Sequence, residues 1–151
     1  MNFGTTQEVA QERARQLMRL VGLDPDALTR FPHQFSGGQR QRICVARALA
    51  MEPELLIADE AVSALDVSVQ AQVLRLIDDV RKRFNLAVLF ITHDLRVAAQ
   101  VCDRIAVMHR GAVVEEGSTA AVFGAPSHAY TRALFEAAPG RDVKFGDFET
   151  A

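Results

Sequence analysis

A chain of 151 residues that is 49% hydrophobic and 24% charged carries enough apolar side chain for one domain with a core, which excludes disorder of the whole. Its formal net charge of −2 and pI of about 6.1 give no chain-wide attraction for nucleic acid, so no nucleic-acid partner is expected and any anion must be met locally. The longest uninterrupted apolar run, Leu86 to Ile91, falls far short of the ~18 residues of a membrane span, and the N-terminus lacks an apolar signal region, so a cytoplasmic location is expected.

From Thr6 to Val21, Val9, Ala10, Ala14, Leu17, Met18 and Val21 recur at helical spacing, and Gly22 followed by Asp24-Pro25 ends the helix in a turn that runs on through Phe31-Pro32. A second helix is predicted after Ser36, with its body over 39–51. Beyond Glu52-Pro53, Leu55 to Ala58 is wholly apolar and reads as a buried strand, which Asp59 and Glu60 follow at once. Val67 to Phe84 is a long amphipathic helix with Val69, Val73, Leu76, Ile77, Val80 and Phe84 on one face. Ala87 to Ile91 is a second buried strand, parallel to the first because a helix connects them, either beside it or with other strands between the two. After Asp94 come a short helix and then two strands, 104–108 and 112–116, paired across Arg110-Gly111, so the sheet is expected to be mixed. Segments 118–123 and 128–138 read as closing helices, and 139–151 as a polar tail. Cys44 and Cys102 have no metal-like spacing and are expected to be reduced thiols packed in apolar surroundings.

Three places invite chemistry. Ser36-Gly37-Gly38-Gln39 opens a helix with two residues that weaken it, with no packing return visible in the sequence. Backbone amides there, with no Cβ in the way, suit a phosphate, while Ser36 and Gln39 equally fit a capping box that needs no ligand. Asp59 and Glu60 stand at the end of an interior strand, where one acid suits a magnesium ion on phosphate oxygens and the other an attacking water, although acids at strand ends are also common solvated loop residues. His93 follows the second strand and should emerge on the same sheet edge, where ligands of parallel sheets collect, or lie as an ordinary surface histidine. Asp66 and Asp94 each read as helix caps, and Arg81-Lys82-Arg83 as a solvated helix end.

In this order, the runs 35–42, 55–60, 63–66 and 91–94 closely resemble the signature, Walker B, D-loop and H-loop segments of ABC transporter ATP-binding subunits, with the likeness covering about 7–139. The resemblance implies an α/β fold: a mostly parallel buried sheet flanked by helices, a C-terminal β-hairpin with closing helices, and part of a helical subdomain at the N-terminus. It implies a partial nucleotide-binding domain over 1–138, with 1–50 as helical subdomain and signature helix, 51–117 as the Walker B, D-loop, H-loop and hairpin core, and 118–138 as closing helices. By resemblance, Ser36, Gly37, Gly38 and Gln39 contact ATP phosphates held by a second ATPase subunit, Asp59 assists Mg2+, Glu60 activates water, His93 contacts the γ-phosphate and Asp66 touches the partner across the dimer interface. Ala61-Val62, the run 66–72 and the run 128–134 look like the dipeptide and oligopeptide importer branch, with Ala129 where that branch usually has proline. Transmembrane permease subunits and a peripheral position on the inner face of the cell membrane follow from the same likeness.

A Walker A loop needs Gly-Lys followed by Ser or Thr, yet the lysines here are Lys82, after Arg81, and Lys144, after Val143. Met1 thus falls inside what resembles the helical subdomain, the chain is expected to be truncated, and no ATP hydrolysis is expected from it alone. A non-catalytic signature-bearing module or truncated gene product that binds a partner's ATP is the alternative, and a soluble ABC ATPase without transport a further one.

Overall fold

In the computed structural model, which describes residues 6–137, the Thr6 hydroxyl accepts the Val9 amide at 3.4 Å and caps α1 (Gln7–Leu20). The expected closing-helix residue 138 and the tail 139–151 lie outside the described residues. The chain divides into two units between Ile91 and Thr92.

In the first unit, α1 stops as its sequence predicts. Gly22 turns left-handed at φ +70°, its amide reaches the Arg19 carbonyl at 3.0 Å, and the Leu23 amide reaches Met18 at 2.9 Å, a pattern that satisfies the last carbonyls and folds Leu23 back. Leu23 joins Ile43 against a small core of Met18, Ala27 and Phe35. A Cβ at Gly22 would stand 2.9 Å from an Arg42 guanidinium nitrogen, and that guanidinium donates to the Val21 carbonyl at 3.0 Å and to Gln72 Oε1 at 2.9 Å. Arg42, on α2 (Gly37–Leu49), thereby ties the end of α1 to α3 (Val67–Phe84). Arg42→Ala is expected to destabilise this unit by about 2 kcal/mol, because charged hydrogen bonds are lost and the Val21 carbonyl is left without its partner, and a urea titration of the two chains would measure it.

β1 (Leu55–Asp59) and β2 (Ala87–Ile91) pair directly and in parallel, with Leu55 opposite Ala87 and Asp59 opposite Ile91. The crossover is α3, capped by Asp66 and closed by Asn85 at φ 52°, a left-handed position that asparagine tolerates. Val73, Leu76, Ile77 and Val80 are buried as expected, while Phe84 remains 44% exposed. The strands depart from the expected burial on both faces. Leu56 and Ala58 are buried, but Leu55, Ile57, Leu89 and Ile91 are between 45% and 59% exposed, and the register puts all four on one side of the pair. A wholly apolar strand reads as covered on both faces, and here one face meets solvent.

The second unit holds α4 (Leu95–Val101), β3 (Arg104–His109), β4 (Ala112–Ser118), α5 (Thr119–Gly124) and α6 (Ala129–Ala137). β3 and β4 form the predicted hairpin, and Arg110 and Gly111 both take positive φ, 48° and 81°, the geometry that matches strand twist in a two-residue turn. The hairpin is a sheet of its own, so the described strands make two two-stranded sheets in place of the single mixed sheet expected. The sequence sets the pairing of neighbours in the chain but carries no signal for which distant edges meet. Cys102 is half-buried with its thiol pushed up, first by burial and then by Asp103, whereas Cys44 is exposed. The expectation of a packed Cys44 fails because it lies off the buried stripe of Gly38, Val45 and Leu49 on α2.

Glu115 anchors α6 to the hairpin. Its Oε1 accepts the Ser127 amide at 2.7 Å and the Ser127 hydroxyl at 2.9 Å, and its Oε2 accepts the His128 amide at 3.1 Å. The neighbouring Thr131 hydroxyl, then the Ser127 amide, lower its carboxyl from 4.5 to about 2. The buried Thr131 hydroxyl has no partner in good hydrogen-bond geometry, so its influence is that of a close dipole and the amides make the directed bonds. A depressed carboxyl stabilises above its unfolded value, so this contribution is complete above pH 4.5 and is lost as the pH falls toward 2. The gap in melting temperature between the chain and Glu115→Gln is therefore expected to stay constant from pH 7 to 5 and to close below that range.

Candidate functional site

Ser36 lies in extended backbone at φ −64° and ψ 165°, just outside α2. Its hydroxyl accepts the Gln39 amide at 3.3 Å, and Gln39 Oε1 accepts the Ser36 amide at 2.9 Å, so the capping box read from the sequence is formed. The Arg40 amide reaches the Ser36 carbonyl at 2.9 Å, while the amides of Gly37 and Gly38 have no acceptor among the described residues. Two open N–H groups at the positive end of a helix form an arrangement that receives an anion. Ser36 serves only as an acceptor in the box, so its hydroxyl hydrogen is still available to donate.

Gly38 also has a packing reason, which corrects the expectation that the glycine pair brings none. It is buried, and a Cβ there would overlap Val69 Cγ1 on α3; a Cβ at Gly37 would make ordinary contact with Leu65 at 3.4 Å. The start of α2 therefore rests on the segment 65–69. Asp66 in that segment accepts the Val69 amide at 3.0 Å and the Ser68 hydroxyl at 2.8 Å, and these two bonds, the amide first, hold its carboxyl below the ordinary carboxylate range. The cap read for Asp66 is present, and Val69 and Leu65 are the neighbours that sequence reasoning missed. Their contacts span 28 and 31 positions, and no local pattern announces them.

Asp59 and Glu60 are exposed at the end of β1. The Glu60 amide donates to the Ile91 carbonyl at 3.0 Å, which extends the strand pairing by one residue, and the Ser63 hydroxyl donates to the Glu60 carbonyl at 3.1 Å. Glu60 itself sits at φ 48°, a left-handed conformation that costs a residue other than glycine about 1 kcal/mol. Among the described residues no three His, Cys, Asp or Glu side chains gather into a metal site. Asp59 offers a single acceptor-only carboxylate, which suits an ion such as Mg2+ that takes one or two protein carboxylates and completes its shell with phosphate and water.

His93 is exposed and belongs to the second unit, two residues along the chain from Ile91. The Thr92 hydroxyl accepts the Asp94 amide at 3.0 Å, and Asp94 caps α4 by accepting the Arg96 amide at 2.9 Å. Asp94 thus takes the capping role read from the sequence, with its carboxyl held low first by the Arg96 side chain. Within the first unit, then, Ser36 to Gln39 meet the Asp66 segment, and Asp59 and Glu60 meet the end of β2. A groove of about 530 Å3 in that unit, walled by Leu17, Leu20, Leu49, Phe84 and Leu86, includes none of these residues.

The family profile described as ABC transporter matches residues 2–63. The dipeptide transport ATP-binding protein DppF of Lactococcus lactis subsp. cremoris is 52% identical over 130 residues, which is 86% of this chain and 42% of that protein. The glutathione import ATP-binding protein GsiA of Pectobacterium atrosepticum is 51% identical over 133 residues, 88% of this chain and 21% of that protein. A dimeric post-hydrolysis structure of the ATP-binding cassette MJ0796 bound to ADP and Pi is similar with a TM-score of 0.66 at 29% identity, covering 79% of this chain and 51% of that one. The chain spans less than half the length of the curated relatives it matches.

Proposed function

From these likenesses we propose that the chain belongs to the ATP-binding family of ABC transporters and is the C-terminal part of the nucleotide-binding domain of a peptide importer's ATPase. Peptides or related small solutes are the cargo, ATP is the substrate, and the partners are a second ATPase subunit and transmembrane permease subunits. No helix among the described residues is long and apolar enough to cross a membrane. The place on the inner face of the cell membrane, docked on the permease, is proposed from the likeness to importer subunits.

The observation that carries this reading is the pair of open amides at Gly37 and Gly38 beside the Ser36 hydroxyl, presented by a helix end that is fixed from behind. A second subunit's Gly-Lys loop would hold the triphosphate, and these groups would close on its terminal phosphate, neutralising charge as it develops. Gln39 keeps the box closed and faces the same nucleotide. Mg2+, assisted by Asp59, would supply charge neutralisation at the other nucleotide, the one on this chain's own side of the dimer. Glu60 would orient the attacking water and take its proton, His93 would donate to the γ-phosphate oxygen, and Asp66 would reach the partner across the interface.

Mixed with full-length L. lactis DppF, the chain is expected to associate only when MgATP is present, as read by sedimentation, and Ser36→Arg is expected to abolish this by filling the space at the helix end. Equal association with and without MgATP would reject the nucleotide reading.

A further inference from the structure

Resting on that reading, we infer that Val69 is a positioning residue for the nucleotide: it sets where the open amides of Gly37 and Gly38 stand, and Asp66 fixes Val69. Three observations bear on this. Gly38 is buried with no room for even a methyl against Val69 Cγ1, so the height of the α2 N-terminus is set by this one side chain. Val69 lies in the first turn of α3, where a β-branched side chain has one strongly preferred rotamer and acts as a fixed stop, where a flexible side chain would yield. The Val69 amide is the one that the Asp66 carboxylate caps, at 3.0 Å, and Ser68 braces the same carboxylate at 2.8 Å.

The segment 65–69 and the segment 36–39 are therefore a single mechanical unit within this chain. A group on the partner that draws the Asp66 carboxylate away would release the first turn of α3, withdraw the stop behind Gly38 and let the two amides recede from the phosphate. Engagement at Asp66 and engagement at Gly37 and Gly38 are coupled through Val69. An error of an ångström at a charge-binding group is costly to binding of a transition-state-like geometry, so the stop is worth on the order of tenfold in MgATP-dependent association.

The test uses the full chain, 15N-labelled, with MgATP and full-length DppF as probes. Val69→Ala is expected to move the Gly37 and Gly38 amide resonances and to weaken the MgATP-dependent association by roughly tenfold, while Val69→Thr, which keeps the branched shape on a partly exposed site, retains both. Asp66→Ala is expected to move the same two resonances. Unmoved Gly37 and Gly38 resonances in Val69→Ala, or association as tight as that of the unsubstituted chain, would overturn the inference and leave the nucleotide reading standing. If the unsubstituted chain fails to associate with MgATP, the nucleotide reading falls and takes the inference with it.

Discussion

The purified 151-residue chain is expected to turn over MgATP no faster than its Glu60→Gln variant. Phosphoryl transfer asks little covalent chemistry of a protein, and its acceleration comes from holding the phosphates, the water and the neutralising charges in line. Asp59 and Glu60 are present and exposed, yet neither lysine of the chain follows a glycine, so no Gly-Lys loop here fixes the β- and γ-phosphates. Without such positioning the rate falls by on the order of 10⁵-fold, so the role proposed for Glu60 is not expected to show in this chain. A malachite-green assay at millimolar MgATP measures it, and turnover by the chain that Glu60→Gln abolishes would contradict the expectation.

Gly38→Ala is expected to destabilise the first unit by about 2 kcal/mol, and Val69→Ala in the same chain to restore most of it. Two effects compete at this position. Helix propensity favours alanine over glycine by up to about 1 kcal/mol, but the new methyl would overlap Val69 Cγ1, and overpacking against a stiff branched side chain costs about 1–3 kcal/mol, so the steric effect wins. Urea unfolding of the two single variants and the pair forms a double-mutant cycle. Strong non-additivity is the expected result, and additive losses would show that Val69 does not set the space at Gly38.

The features legible in the sequence are those encoded within a few neighbouring residues. Ser36, Asp66 and Asp94 were readable as caps because a cap needs only a polar side chain two or three positions before the amide it serves, and all three do that work. The Arg110-Gly111 turn was readable for the same reason, as was α1 with its stop at Gly22. That β1 and β2 run parallel followed from the helix between them, whereas their direct pairing did not.

The features hidden from the sequence depend on groups far along the chain. Leu55 to Ala58 is apolar whether one face or two are covered, so the string could not disclose that Leu55 and Ile57 are exposed. Gly38 looked like a helix weakened for a ligand because the side chain that crowds it belongs to another helix. Glu60 gave no hint of its left-handed backbone, since glutamate is a poor choice for that conformation and the turn is held by Ile91 and Ser63. Around the candidate site, the caps were legible, and the contacts of Gly37 and Gly38 with Leu65 and Val69 were not.

The solvent-facing Leu55, Ile57, Leu89 and Ile91 govern how the chain behaves in a tube. A greasy plate of this kind makes self-association a competitor of every measurement, so apparent melting temperatures will drift with protein concentration and solubility will run out before thermal stability does. Whatever polypeptide lies over that plate acts as a stabilising ligand of the fold, and its departure would hand the chain to chaperones and proteases.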